Sequence, residues 1–457
     1  MPIFIHVPRL LPALVLGASL LTACGGKDSA TLVTEARAML AAGDYKAAMI
    51  HLKNAVAEDE KNAEARYELG RLYLDQLDLA SAEKEFRRAR EAGYAASAVN
   101  PLIARALLGQ RDYQRLLDEL PAPPDSDPDA ATLQALRATA ELGLGHKEDA
   151  RQILQRALQA APDNAEVHLA LAKLALVDGD ATKAMLELEQ ALQFDPKHRD
   201  SLLLKGDLLS ATGKPAEAAA VYRQVLQIAP RHTNARLALA GVAIAGNKLA
   251  DARREVDAAL KIAPNNLQAR YMEALIDFRE GKTERARDRL AAVLKAAPGF
   301  VPALLLGGSI EYALGNLQTA EAYLNKVAKA APNNPYAWRL LAATQLRLGR
   351  PDDAARTLRA LDPEHSNDVG VNVVAGEIAL AKKEWAKASA HFEKAAQTSP
   401  ESAAIRTELG IARMAQGDER AMDDLLAASN MEGGGGRADA LLILSQLRNQ
   451  QYDAALA

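Results

Sequence analysis

The residues that could do chemistry in this chain are few and scattered. Glu280-Gly281-Lys282-Thr283 ends in the Gly-Lys-Thr of a phosphate-cradling loop. Such a loop needs an earlier glycine, but Ile276 stands at that place, and no strand precedes it. The segment reads as an ordinary turn, and so does Gly143-Leu144-Gly145. The eight histidines show no His-Glu-x-x-His or similar metal spacing. His198 and His232 each occupy a loop just before a helical stretch, where a solvated role is expected. Asp125, Asp127 and Asp129 could touch a calcium ion, but the Gly and Glu of a calcium loop are missing. No Gly-x-Ser-x-Gly elbow is present, and the single cysteine, Cys24, rules out a disulfide within the chain. These residues predict no catalytic centre, no metal and no cofactor.

Composition indicates what kind of elements carry these residues. Apolar residues make up 49% of the 457, yet aromatics only 4%, the balance being largely alanine and leucine. Close-packed helices suit that balance and sheets do not. Formal net charge is −4. Such a mildly acidic, mixed surface carries no nucleic-acid footprint.

The strongest pattern is periodic. Pro162, Pro196, Pro230, Pro264, Pro298 and Pro332 are spaced by 34 residues, and Pro400 falls two periods later. Seventeen residues before most of these prolines stands a glycine, at Gly145, Gly179, Gly213, Gly281 and Gly315, and Gly349 keeps the same phase. Ala150, Ala184, Ala218, Ala252, Ala286, Ala320, Ala354 and Ala388 follow five residues after that place. A further small or β-branched residue comes seven later, from Ala157 to Ala395. The phase extends back through Gly43 and Gly70, so twelve repeats of 34 tile residues 29–436. The glycine lets the chain leave a first helix with positive φ, and the proline stops a second one. Asn-rich turns such as Pro332-Asn333-Asn334 supply caps for the next helix. Small residues allow helix axes to approach to roughly 8–10 Å.

A repeat of this length and pattern resembles the tetratricopeptide repeat. The resemblance implies an all-α, right-handed superhelical solenoid of antiparallel helix pairs. The array is expected over 29–432, with a glycine linker at 433–436 and the start of a further, truncated repeat at 437–457. Pro121-Ala122-Pro123-Pro124 shortens one second helix and makes 121–130 an irregular elbow, the expected hinge. Lys383 replaces the usual glycine of one repeat. The chain stops in mid-motif after Tyr452-Asp453-Ala454-Ala455, which reads as a truncated protein.

Residues 1–23 read as a leader: Arg9, then an apolar run of about a dozen residues, then small residues. The run is short for a membrane-spanning helix. Its end, Leu21-Thr22-Ala23-Cys24, resembles the lipobox of bacterial lipoproteins. That resemblance implies cleavage before Cys24 and lipidation of Cys24. Three acyl chains at about 0.8 kcal/mol per buried CH₂ would then anchor the chain to a membrane. Residues 24–30 become a short lipidated tether. Gly25, where inner-membrane lipoproteins carry Asp, implies an outer-membrane anchor facing the periplasm of a Gram-negative cell.

The opening of the array supplies a narrower resemblance. Leu32-Val33-Thr34-Glu35-Ala36-Arg37, Gly43 to Ala55, Asn62 to Gly70, Ala104 to Leu108 and Leu116 to Leu120 are similar to the repeat-containing lipoprotein found with the PEP-CTERM/exosortase sorting system (PrsT-like). It implies an envelope role in exopolysaccharide export or surface-protein sorting and no biochemical activity.

In such arrays the first helix of each pair faces inward through its second, fifth, ninth, twelfth and thirteenth positions. Between 267 and 347 these hold Tyr271, Phe278, Arg279, Tyr312, Tyr336, Arg339 and Arg347. Elsewhere the same positions are expected to be mostly Leu, Ile or small. Aromatics and arginine anchor interfaces. The same side chains could also simply fill space between neighbouring first helices. Trp338, at the fourth position, is expected in the core. The expected function is a non-enzymatic, outer-membrane-anchored scaffold that binds envelope proteins. The alternative is a carbohydrate-binding guide for exported polysaccharide.

Overall fold

A repeat of this kind starts where a side chain caps the free amides of its first helix. Asn164 accepts from the amides of Glu166 and Val167, Asn266 from Ala269, Asn334 from Ala337 and Asp368 from Val371. A computed structural model describes residues 27–123, 130–433, 436–448 and 450–452. Among them are twenty-five α-helices, one short 3-10 turn and no strand. The first helices begin within one residue of all twelve expected starts, from Ser29–Ala41 to Ala403–Gln416. The leader, Cys24 and Asp125 to Asp129 lie outside the described residues. No helix among the described residues is long and apolar enough to cross a membrane.

The small-residue positions are the seams between helices. Every alanine from Ala150 to Ala388 in the second-helix series is fully buried, as is the series from Ala157 through Val225, Val293 and Val327 to Ala395. In three repeats the first helix has a glycine, at Gly70, Gly206 and Gly376, whose partner on the second helix of the same pair is an aromatic ring. A Cβ on Gly70 would stand 2.7 Å from the ring of Phe86, and one on Gly376 the same distance from the ring of Phe392. The glycine and the aromatic ring are one packing unit split over two helices.

The fifteenth residue of every repeat turns the chain with positive φ. Eight of the twelve are glycines, among them Gly145 at 85° and Gly281 at 76°. The other four are Leu77, Arg111, Asn247 and Lys383, at 55–61°. The turn geometry therefore persists where glycine is lost.

A less visible link ties several repeats to the turn before them. In seven repeats, among the described residues, the fourth residue of the first helix sends a side-chain N–H back six residues to a carbonyl in that turn. Arg270 Nε donates to the Pro264 carbonyl at 2.9 Å, Arg236 Nη2 to Pro230 at 2.7 Å and Asn372 Nδ2 to Ser366 at 2.8 Å. His168 Nε2 lies 2.8 Å from the Pro162 carbonyl.

The helices group into two compact units, residues 1–242 with 261–263, and residues 243–260 with 264–457. In the first, successive first helices touch, as Ala130–Leu144 does with both Ala96–Gln110 and Ala165–Val177. The elbow lies within this unit, and the second helix before it, Tyr113–Glu119, has only seven residues. Packing continues past it: Arg137 donates to the carbonyls of Leu117 and Leu120. In the second unit, Val301–Ala313 touches both Leu267–Arg279 and Pro335–Arg347. First helices thus crowd together on one side of each unit, as an inner layer requires. Helix Arg437–Arg448 follows the glycine segment and packs on Ala421–Ser429.

Candidate functional site

The seven residues expected on the inner face of the second unit divide into two kinds. Tyr271 and Phe278 pack against the core around Ala274, Leu290 and Leu306, and Tyr271 meets Phe300 edge-on at 5.5 Å. Burial pushes the Tyr271 phenol above its ordinary pKa. These two fill space between neighbouring helices. Arg279 is exposed at the end of its helix.

The remaining four form two cation–ring pairs. The Arg347 guanidinium lies 4.6 Å from the Tyr312 ring centre and donates to the Tyr312 carbonyl at 3.1 Å. Arg339 lies 5.4 Å from the Tyr336 ring and also reaches Asp368 at 3.2 Å. The Tyr336 hydroxyl is 3.3 Å from Ser309 Oγ on the preceding first helix, yet the residue stays 43% exposed. An exposed ring held from both sides is a preorganised anchor, because little side-chain entropy is left to lose. Trp338, expected in the core, is only partly buried. It packs on Leu324, Ala328 and Leu341, and its indole N–H is used on the Pro332 carbonyl.

The inner positions elsewhere are mostly Leu, Ile or small, with one departure. In the first unit the ninth position carries Arg37, Arg71, Arg105 and Lys173, a series of cations partly at the repeat spacing itself. Arg105 forms ion pairs with both Glu166 and Asp200, two and three repeats further on. Glu166 is 3% exposed. Burial favours its neutral form, but the charge of Arg105 and a hydrogen bond from His198 outweigh this and hold its pKa below the ordinary value. His198, expected in a solvated loop, is instead bonded to Ser201 at 2.7 Å.

The second unit has its own charged node. Asp277 is fully buried and meets Arg253 at 2.6 Å, Arg285 at 2.5 Å and Arg289 at 2.7 Å. Burial raises its pKa, but the hydrogen bonds from Arg285 and Arg253 and the charge of Arg289 more than reverse this, leaving it lowered. Next to it, Lys282 pairs with Glu280 at 2.6 Å, and Gly281 makes the positive-φ turn. The Gly-Lys-Thr segment is therefore the turn its repeat position requires. Glu141, His146 and Asp149 place ligand atoms within 4.8 Å of one another, but on the surface. His146 there is already bonded to Glu141 at 2.9 Å.

Comparison with known proteins agrees with this architecture. The tetratricopeptide repeat model matches residues 39–106, 141–208, 209–276, 277–344 and 311–371. No curated protein matches the sequence. Among solved structures, the chain is similar to one in the Cut9–Hcn1 hetero-tetramer of the APC/C, with 17% identity, 94% of this chain and 92% of that chain covered, and a TM-score of 0.48. It is also similar to pilF of Pseudomonas aeruginosa, with 21% identity, 47% and 99% covered, and a TM-score of 0.42. A third likeness is to YrrB, described as a repeat protein with an unusual peptide-binding site, with 19% identity, 40% and 95% covered, and a TM-score of 0.32. With twelve helix pairs in phase and the family model matched over well over half its length, the chain belongs to the tetratricopeptide repeat family.

Proposed function

We propose that this protein is a periplasmic scaffold, anchored to the outer membrane through lipid on Cys24, which holds a protein partner of an exopolysaccharide or PEP-CTERM export system. Membership of the repeat family supports protein binding as the general role. The observation that carries the choice of surface is the Tyr336 ring, exposed on the inner layer and flanked by Arg339, with the Arg347–Tyr312 pair on the same helices. Leu21-Thr22-Ala23-Cys24 and Gly25 support the anchor and its membrane, and the segments from Leu32 to Leu120 support the export context.

The alternative, a guide for exported polysaccharide, draws on the same ring, since an exposed aromatic face can stack on a sugar. The test is a cross-linking pull-down from the native envelope. The tagged protein is compared with a Tyr336→Ala/Arg339→Ala/Arg347→Ala variant and with Cys24→Ser. We expect a defined, stoichiometric protein that is lost with the triple variant. Capture that survives the triple variant would remove this surface from the proposal. Recovery of glycan without protein would favour the guide. Labelling with a radioactive fatty acid should mark the native chain and not Cys24→Ser; equal labelling of both would remove the anchor.

A further inference from the structure

The inner face of the first compact unit holds a cavity of about 420 Å³ whose charges do not balance. Four guanidinium groups line it, from Arg37, Arg71, Arg199 and Arg231, against two carboxylates, Glu68 and Asp75. Glu68 is occupied by Arg37 at 3.0 Å and, more loosely, by Arg71 at 3.5 Å. Asp75 serves Arg199 at 3.4 Å. Arg37 finds a second carboxylate, Glu64, at 2.6 Å outside the cavity wall. Among the described residues Arg231 has no carboxylate within ion-pair distance. Its guanidinium lies 4.6 Å from the centre of the Tyr45 ring. Burial is the main influence on Arg231 and works against its charge.

Asp75 favours its charge from beyond ion-pair distance, but burial outweighs that help, and a partly desolvated guanidinium without a direct anionic partner is costly unless something anionic completes it. Arg71 and Arg199 have spare donors as well, because each meets its carboxylate at a long distance. Arginine presents five N–H groups in a planar fork that matches phosphate oxygens in pairs. A carboxylate ligand would bring one charge and two oxygens. A phosphate monoester brings close to two charges and three terminal oxygens, which suits several arginines whose donors are only partly used and whose charge exceeds that of their carboxylates even when Glu64 is counted. Leu40, Leu72 and Ile228 also line the cavity and offer an apolar wall to the organic part of such an ester.

We propose that this cavity binds the phosphoryl group of a small phosphate monoester, with Arg231, Arg199 and Arg71 as its donors. The site is a different surface from the Tyr312–Tyr336 face, so either can stand without the other.

The test is isothermal titration of the full chain with inorganic phosphate and with glycerol 3-phosphate, at constant ionic strength set by chloride. Sulfate serves as the divalent comparison. We expect one saturable site per chain, with the ester bound at least as well as free phosphate. Arg231→Gln and Arg199→Gln should each weaken it by roughly tenfold, the scale of one charged hydrogen bond. The exposed Arg356→Gln, in the other unit, should not change it. Absence of saturable binding would overturn the proposal, as would native affinity retained in both cavity variants. Equal binding of sulfate would overturn the phosphate assignment. Circular dichroism establishes that each variant is folded. If Arg231→Gln does not fold, Arg199→Gln and the phosphorus NMR line of the native complex decide the matter.

Discussion

The indole nitrogen of Trp338 donates to the carbonyl of Pro332, six residues earlier, at 2.7 Å. Arginine, histidine and asparagine make the same bond in other repeats, at the same place in the period. What these side chains share is only an N–H group on a side chain long enough to turn back. The acceptor is a carbonyl left over where a second helix has ended, and an unpaired carbonyl there would need water or a side chain. Where it occurs, this bond ties the start of the new helix to the turn before it.

Trp338→Phe keeps most of the ring and removes the donor. It should lower stability by about 1 kcal/mol, the net value of a hydrogen bond of this kind. Trp338→Arg restores a donor that other repeats already use and should lose less. Urea unfolding followed by circular dichroism measures both. Equal losses in the two variants would show that the ring, and not the bond, matters.

Gly376 and Phe392 form a size-matched pair, with a would-be Cβ 2.7 Å from the ring. Gly376→Ala should therefore destabilise by about 1–3 kcal/mol through overpacking, despite alanine being the better helix former. Adding Phe392→Leu should recover part of that loss. Thermal unfolding of the single and double variants gives the coupling, and simple additivity would contradict the pairing.

Lys383 is exposed and holds φ at 61°, where glycine stands in most repeats. A left-handed conformation costs a side-chain-bearing residue roughly 1–2 kcal/mol. Lys383→Gly should raise stability by about 1 kcal/mol after the added entropy of the unfolded glycine is counted. A lower unfolding midpoint would mean that the lysine side chain contributes something the turn geometry does not show.

Asp277 should report on acid. Its pKa is lowered in the fold, so its contribution is fully present above the unfolded value of 3.8 and is lost as pH falls through the folded value. Asp277→Asn leaves three guanidinium groups facing a neutral amide and should cost about 3 kcal/mol at neutral pH. The cost should shrink below pH 3.8, which unfolding curves at pH 7 and pH 3 would check. A loss that is the same at both would place its origin in packing.

Much of this architecture was legible in the residues because the period is carried by side-chain size. Ala286 or Val293 can be nothing larger in a seam, and Gly281 marks a turn by its φ alone. The sixfold-back bond was not legible, because Arg270, His168 and Trp338 share a function and no shape. The inner face was legible only in part. Tyr312 and Tyr336 stand in the register their positions implied, but position alone could not separate them from Tyr271 and Phe278, whose rings face Phe300 and Leu306. The charges of the first unit were missed because Arg105 finds Asp200 across 95 residues, a distance at which no local pattern operates.

That long reach changes the thermodynamics of the first unit. In a stacked array each repeat is normally coupled only to its neighbours, so unfolding can begin at an end and travel inward as a one-dimensional front. Arg105 to Asp200, Arg199 to Asp75 and Arg231 to Tyr45 instead couple repeats that are three, four and five steps apart. A front entering at Ser29 meets bonds that are not yet free to break, because their far partners belong to repeats still folded. The first unit should then melt as a single cooperative block, while the second keeps the graded fraying of an open stack.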